Sequence, residues 1–109
     1  YNYFIRKVVD FEEIWGLSDD GWALLGDDNG NQILPLWTEK EFAELCSVDQ
    51  WKSYKPEVIL LDNFLEKWIP GMTKDKTLVN IFSTPGSKGT VILPFDLNSD
   101  LQEELEQYD

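Results

Sequence analysis

The sequence feature that most constrains the fold is a four-residue turn, Asp27-Asp28-Asn29-Gly30, between two apolar runs. Asparagine and glycine tolerate the positive φ angles that tight hairpin turns require. The flanking runs, residues 22–25 and 32–37, are therefore predicted to form two antiparallel strands. Because proline cannot donate a ladder hydrogen bond, Pro35 predicts an edge position or a bulge in the second strand.

An amphipathic helix is predicted ahead of this hairpin. It spans residues 2–15 and ends at a glycine, Gly16. Its apolar side chains share one face, because they follow one another at spacings of four, three and four residues: Phe4, Val8, Phe11 and Trp15.

A second helix is predicted directly after the hairpin. Thr38 and Glu41 match a capping box, in which a hydroxyl and a carboxylate satisfy backbone amides reciprocally. The helix is expected to run to about residue 46. Its inward side chains are predicted to be Phe42, Leu45 and Cys46.

The next segment is predicted to add one turn at residues 47–51 and a strand at residues 57–61, which are apolar and β-branched. Asp62 is expected to cap a following helix, and Pro70-Gly71 to end or kink it.

Two further strands are predicted at residues 78–82 and 90–93, with turn chemistry between them at residues 85–89. Asn98 or Ser99 is expected to cap a last helix. The predicted order is α-β-β-α-β-α-β-β-α. It indicates a single α+β domain over residues 1–109, with a mostly antiparallel sheet of about five strands and helices covering one face.

The charge of the chain limits its partners. Twenty-one Asp and Glu residues outnumber nine Lys and Arg residues, which gives a formal net charge of −12. Repulsion from phosphates argues against direct binding of nucleic acid and of anionic membranes. The same field attracts a basic protein partner, although solubility alone also explains it.

The compartment is predicted from the single cysteine, Cys46, which cannot form an intramolecular disulfide. A reducing cytoplasm is the simplest interpretation. The sequence contains no apolar run near the ~18 residues that a membrane-spanning helix needs.

Catalytic machinery is not recognisable in the sequence. The absence of histidine removes His-dependent nucleophilic sites and the usual zinc ligands. The turn at residues 27–30 fails the EF-hand pattern, because leucines occupy the positions where carboxylates are required. Residues 86–90 lack the order of a phosphate-binding loop. No catalytic residue, metal or cofactor is predicted.

Aromatic residues give the strongest indication of a binding surface, since the chain holds five tryptophans. Four of them border apolar runs, and filling of the core explains most of these. Trp51 instead lies in a polar segment, residues 47–55, together with Tyr54. Both are predicted to anchor a partner, and packing onto the domain is the alternative. Asp49, Asp27 and Asp28 are predicted to supply complementary charge.

A family resemblance is carried by five short segments: Tyr3-Phe4-Ile5, Glu13-Ile14-Trp15-Gly16-Leu17, Gly21-Trp22-Ala23, Pro35-Leu36-Trp37-Thr38 and Phe42-Ala43. Over nearly its whole length the chain resembles the bacterial family filed as domain of unknown function 2750. This resemblance implies a small cytoplasmic bacterial protein with no assigned activity.

A weaker similarity rests on residues 34–39, the strand-helix join at residues 58–65 and Leu78-Val79-Asn80 before Pro85-Gly86. Their order is similar to that in SseB-type N-terminal domains. The chain departs from that pattern by an extra N-terminal helix and by four residues between Asn80 and Pro85. The similarity implies the fold and protein binding.

The leading hypothesis is a non-enzymatic protein-interaction module, such as an adaptor, a regulator or an immunity-type protein. One alternative is a small-molecule-binding or carboxylate-based enzymatic domain, which predicts a concave pocket lined by aromatics. Another is an acidic nucleic-acid mimic, which predicts carboxylates along one elongated face. A homodimer through an apolar edge strand is also open.

Overall fold

The fold is seen in a computed structural model, which describes residues 1–81 and 89–107. It is an α+β fold, as predicted. The elements in chain order are α1 (Asn2–Phe11), β1 (Glu13–Ser18), β2 (Leu25–Gly26), β3 (Gln32–Leu36), α2 (Lys40–Leu45), a 3-10 turn (Asp49–Trp51), β4 (Lys55–Leu60), α3 (Leu61–Asn63), a π-helical turn (Phe64–Trp68), α4 (Ile69–Asp75), β5 (Leu78–Ile81), β6 (Thr90–Ile92) and α5 (Pro94–Gln107). Phe82 and the predicted turn before Gly89 lie outside the described residues.

The strands form two sheets that meet at a pair of tryptophans. One sheet has the order β2-β3-β5-β6 and the other pairs β1 with β4. Three of the four ladders are antiparallel and β3–β5 is parallel, so the prediction of a mostly antiparallel arrangement is confirmed. Trp15 and Trp37 exchange two backbone hydrogen bonds of 2.8 Å, which join β1 to the end of β3.

The strand β1 was not predicted, because its tryptophan fitted the helical spacing of the preceding segment. The first helix in fact ends at Phe11, and Glu12 adopts a left-handed conformation whose N–H bonds to the carbonyl of Val8. Gly16 is therefore not a helix stop but lies inside β1. The missed signal is alternation: Ile14 faces one core, whereas Trp15 and Leu17 face the other.

Helices cover both faces of the strands, not one face as predicted. The larger core lies beneath α1, α4 and α5, with Ile14, Leu34 and Leu36 among its strand residues. The smaller core lies on the opposite face of β1 and β3 and includes Ala43 of α2. Its fully enclosed members are Leu17, Ala23, Trp37 and Ala43.

The predicted hairpin is present, since β2 and β3 pair antiparallel around the turn at residues 27–30. The first strand begins later than predicted, and Trp22 forms only an isolated bridge with Ser18. Although β3 has neighbours on both sides, β2 pairs only with Gln32 and Ile33. Residues two apart in a strand direct their N–H groups to the same side. The N–H of Trp37 bonds to Trp15 of β1, so the nitrogen of Pro35 also faces the β1 side and not β5. Its missing N–H therefore removes no bond to β5.

Three predicted helix caps are wrong, because the helices begin elsewhere. Glu39, not Thr38, is the N-cap residue of α2, and no side chain caps that end. Leu60 precedes α3 without a side-chain cap, so Asp62 lies within the first turn. The last helix begins at Pro94, upstream of Asn98, because proline fits the first helical turn. Leu45 of α2 is also exposed, contrary to prediction.

The helix around Pro70 is distorted but not ended. Pro70 follows a π-helical turn in which the N–H of Ile69 bonds to the carbonyl of Phe64, and α4 continues to Asp75. Because proline lacks an N–H, a local change of hydrogen-bond register accommodates it. No helix in the described part of the chain has both the length and the apolar character to cross a membrane.

Candidate functional site

An open apolar concavity lies between the β2–β3 hairpin and α4. We call it the tryptophan groove; it has a volume of about 450 Å³. Its wall includes Trp22 and Trp68, whose rings meet edge to face at 4.9 Å and 83°. The lining residues are Trp22, Leu24, Gln32, Leu34, Lys67, Trp68, Gly71, Met72, Asp75 and Thr77.

Trp22 is positioned by a glycine of β1. A Cβ atom built on Gly16 would lie 2.9 Å from Cζ3 and 3.0 Å from Cε3 of Trp22, which is closer than real contacts allow. The ring therefore occupies the space that a side chain at position 16 would fill, which only glycine permits. This contact makes the wall of the groove depend on a buried strand.

Trp68 is positioned by the π-helical turn that precedes Pro70. Its ring stacks on the buried Phe64 at 6.5 Å and 23°, while its other contact is Trp22. Gly71 lies one turn further along the helix, and a Cβ added there would meet nothing within 4 Å. The groove is therefore open above this glycine.

The groove carries both signs of charge. Lys67 and Asp75 line it from the same helical segment, and both residues are exposed. Within residues 1–81 and 89–107, neither side chain forms an ion pair. An occupant could therefore meet an ammonium and a carboxylate without displacing an internal partner.

A second apolar cavity of about 410 Å³ adjoins the groove, since both are lined by Met72 and Thr77. It extends to the exposed side chains of Leu93 and Phe95, of which the latter is 68% exposed. Asn31 also lines this cavity. The acidic turn at residues 27–30 therefore adjoins its edge.

Asp27 of that turn is engaged in holding the hairpin. Its Oδ1 accepts hydrogen bonds from the N–H groups of Asn29 and Asn31, and its Oδ2 accepts one from the side-chain amide of Asn31, all at 2.9 Å. Asp28 is exposed in the same turn. Asp27 thus has a structural role beside any contribution to surface charge.

We expect the pKa of Asp27 to lie below its usual value, because the side chain and then the backbone of Asn31 donate to the carboxylate. Since the folded pKa is the lower one, the stabilisation is present above the unfolded pKa and is lost as pH falls through the folded pKa. NMR titration of the carboxyl carbon should give a midpoint below that of an unfolded peptide. Asn31→Ala should raise the midpoint, and identical midpoints in protein and peptide would contradict the assignment.

The predicted anchors Trp51 and Tyr54 are half-buried at the smaller core. The Trp51 ring meets Trp37 edge to face at 6.5 Å and 87°. The Ser47 hydroxyl donates to the carbonyls of Trp51 and Tyr54, at 3.2 and 2.5 Å, which fixes the segment. Asp49 is exposed at its start, with φ 53°. Each aromatic ring keeps an accessible part, and the segment stays a predicted docking surface.

These surfaces combine apolar walls with a few charged groups. Cys46 is half-buried at the C-terminal end of α2. In the part of the chain that the structure describes, no group of three or more Cys, Asp or Glu residues is arranged to hold a metal ion. Apolar walls with a few charged groups can enclose a side chain or a small organic molecule.

The tryptophan groove was missed from the sequence because its two walls come from distant segments. Trp22 and Trp68 were interpreted as core residues, since both border apolar runs. Both are in fact half-buried. Of the four tryptophans that border apolar runs, only Trp37 is fully enclosed. The excess of tryptophan in so short a chain was the available signal.

Comparison with protein-family models identifies the family of this chain. A family model described as "Protein of unknown function (DUF2750)" matches residues 1–101 of the 109-residue chain. The search of curated proteins finds no match to the chain. The match covers every element of the fold except the end of α5. The resemblance inferred from the tryptophan-rich segments is therefore confirmed, and the chain belongs to the DUF2750 family of proteins of unknown function.

Proposed function

We propose that the protein is a non-enzymatic protein-interaction module, in the manner of an adaptor, a regulator or an immunity-type protein. The tryptophan groove receives an apolar side chain from a positively charged segment of the partner. The observation that carries this proposal is the open concavity lined by Trp22 and Trp68, on a chain with a formal net charge of −12. Tryptophans at the centre of a contact contribute strongly to binding energy.

The length of the apolar surface supports a protein partner. The groove and the second cavity adjoin at Met72 and Thr77, and the second cavity reaches the exposed Phe95. Contiguous exposed apolar surface is uncommon on monomeric proteins and marks interaction sites. A partner segment can therefore place apolar side chains in both cavities.

Charge supports a basic partner. The formal net charge is −12, and Asp75 and the acidic 27–30 turn border this surface, although Lys67 and Lys76 also line its two cavities. Opposite charge on the partner accelerates association and selects against acidic competitors. Because these acids are exposed, salt should weaken the association.

The distribution of carboxylates does not favour the nucleic-acid mimic. Exposed acids such as Asp10 of α1 and Glu103 of α5 lie on the side of the larger core, whereas Glu41 and Glu44 of α2 lie on the opposite side. A mimic of the phosphate backbone concentrates its charge along one face. A basic protein surface can instead approach from one side and use a local cluster.

Filling the groove is expected to weaken partner binding at least about tenfold. In Gly71→Trp the new side chain enters open space, because a Cβ at this position meets nothing within 4 Å. The matched control is Gln102→Trp, which adds the same side chain at an exposed position of α5. Tagged wild type and both variants are used for affinity capture from source-cell extract at low salt, and the affinity of the purified partner is measured by calorimetry.

The proposal requires a partner that is retained by wild type and by Gln102→Trp and lost from Gly71→Trp. Trp51→Ala and the double variant Asp27→Asn/Asp28→Asn test the docking surface predicted from the sequence in the same assay. Equal binding by wild type and Gly71→Trp would exclude the groove. If no salt-sensitive basic protein is captured by wild type, the interaction role itself is wrong.

A small-molecule-binding domain is the second candidate function, and one observation favours it. Lys67 and Asp75 place opposite charges along the same aromatic groove, which suits an amphiphilic ligand with an amine and a carboxylate. A thermal-shift screen of amino acids and related metabolites tests this candidate. A ligand that raises the melting temperature of wild type but not of Gly71→Trp would favour it over the protein partner.

A further inference from the structure

A separate cavity of about 320 Å³ lies where α1, β1 and the start of α2 meet. We call it the Thr38 cavity; it shares no lining residue with the tryptophan groove. Its lining residues are Phe11, Glu13, Trp15, Thr38, Glu39, Lys40 and Glu41. It combines accessible aromatic surface with three carboxylates.

The hydroxyl of Thr38 is the unexplained group at this cavity. Thr38 is 5% exposed, and no donor or acceptor in the described part of the chain reaches its Oγ1. The sequence predicts that this hydroxyl caps α2, but Glu39 occupies the cap position without a side-chain bond. Buried hydroxyls are nearly always hydrogen-bonded, so a persistent exception points to a missing partner.

The edge of the cavity already holds one cation. Lys7 Nζ lies 4.8 Å from the centre of the Phe11 ring and 4.0 Å from Oε1 of Glu39. The other oxygen of Glu39 accepts a hydrogen bond from the Tyr3 hydroxyl at 3.2 Å. An ammonium group therefore finds both an aromatic face and a carboxylate here, which are the two groups that recognise cations.

Two carboxylates of the cavity remain available to an incoming cation. Glu13 is half-buried on β1, and Glu41 is exposed in the first turn of α2. Among residues 1–81 and 89–107, neither forms an ion pair, whereas Lys40 pairs with Glu44 at 4.0 Å. Trp15 is half-buried between them and offers part of its ring.

We infer that the Thr38 cavity binds an arginine side chain of a protein partner. A guanidinium group is planar, carries five N–H donors and stacks on aromatic rings. It can therefore lie against Trp15 and donate to Glu13 or Glu41. Rotation of the Thr38 side chain would turn its hydroxyl, which is closed off from solvent without an occupant, toward the guanidinium, which then supplies the hydrogen-bond partner that Thr38 lacks. A lysine ammonium would satisfy the carboxylates but stacks less well.

The test uses a minimal probe, N-acetyl-arginine amide, in an NMR titration of the ¹⁵N-labelled protein at low salt. We expect the indole N–H of Trp15 and the amide of Thr38 to shift saturably with this probe. The uncharged isostere N-acetyl-citrulline amide should leave both signals unchanged, and N-acetyl-lysine amide should bind more weakly. Equal shifts with the citrulline probe, or no saturable shift with the arginine probe, would overturn the inference.

Variants distinguish a ligand site from a structural feature. Glu13→Gln is expected to weaken probe binding about tenfold, because it removes a charge-assisted bond. Glu103→Gln, on α5, makes the same charge change outside the cavity and serves as its control. Unchanged affinity in Glu13→Gln would contradict the proposed contact.

Thr38→Val provides a readout that a purely structural role would not give. Removal of an unpartnered buried hydroxyl should raise the melting temperature while it weakens binding of the arginine probe. A lower melting temperature would show that the hydroxyl has an internal partner, and it would remove the main support for the inference. Because the probe is small and the groove is separate, this test can succeed or fail whatever Gly71→Trp shows.

Discussion

Replacement of Trp37 by alanine is expected to lower the free energy of unfolding by about 3–5 kcal/mol. Trp37 is fully buried and is the largest side chain enclosed in the protein's described residues. Its ring contributes most of the bulk of the smaller core, whose other enclosed members are Leu17, Ala23 and Ala43. Two alanines among these neighbours cannot expand into the space that the indole leaves, so a cavity remains.

The measurement for Trp37→Ala is urea unfolding followed by circular dichroism. A domain of this size has a total stability of about 5–15 kcal/mol, so Trp37→Phe serves as a milder variant if the alanine variant has no folded baseline. Trp51→Ala is the comparison, because its half-buried ring contacts Trp37 from the edge. We expect it to cost about 1–2 kcal/mol, since part of that ring is already in water. Equal losses at both positions would show that Trp51 is a core residue and would contradict its predicted role as a partner anchor.

The parts of the fold that could be predicted are those encoded by neighbouring residues. The 27–30 turn determines the β2–β3 hairpin through its own backbone chemistry, and Asp27 strengthens it by bonding to Asn29 and Asn31. Part of the buried face of α1 also follows from local spacing, because Phe4 and Val8 are fully buried, whereas Phe11, predicted on the same face, is exposed at the end of the helix. Such features need no information about distant parts of the chain.

The strand β1 could not be predicted in the same way, because its partner is remote. Glu13 pairs with Leu60 and Ser18 with Lys55, so the ladder is formed by a strand that follows the hairpin and α2. The helical spacing that ends at Trp15 and the alternation of Ile14 with Trp15 are both present in the sequence. Tertiary pairing decides between them, because short apolar segments are ambiguous in period.

The candidate sites were also beyond local reasoning. The tryptophan groove joins Trp22 of the first half to Trp68 of the second, and the Thr38 cavity joins α1, β1 and α2. The sequence singled out Thr38 through its match to a capping box, but only the structure shows that the hydroxyl is buried without a partner among the described residues. The sequence predicted aromatic residues at a binding surface, and the structure adds two cavities that no local pattern predicts.

Substitution of Gly16 by alanine is expected to destabilise the protein by about 1–3 kcal/mol and to displace the wall of the groove. The added Cβ would lie 2.9 Å from the Trp22 ring, so the indole must move away from β1, which changes its contact with Trp68. Alanine in place of glycine restricts the unfolded chain, which favours folding by less than about 1 kcal/mol. The steric term is larger, so the net effect is loss of stability. Urea unfolding measures the energy, and the indole N–H signals of Trp22 and Trp68 report the displacement.

The same substitution at Gly71 is expected to have the opposite sign. Gly71 lies within α4, and its Cβ position is open, so Gly71→Ala should stabilise the protein by about 0.5–1 kcal/mol through helix propensity alone. The two glycines therefore have different roles. The absence of a Cβ at Gly16 makes room for the Trp22 ring in the wall of the groove, and its absence at Gly71 keeps the groove open. If Gly16→Ala is as stable as wild type and the Trp22 signal is unmoved, the added Cβ is accommodated without displacing the ring, and β1 does not hold the wall of the site. A stable variant with a shifted Trp22 signal would instead show that the groove is adaptable, and partner binding by that variant would then measure how much of the affinity depends on its shape.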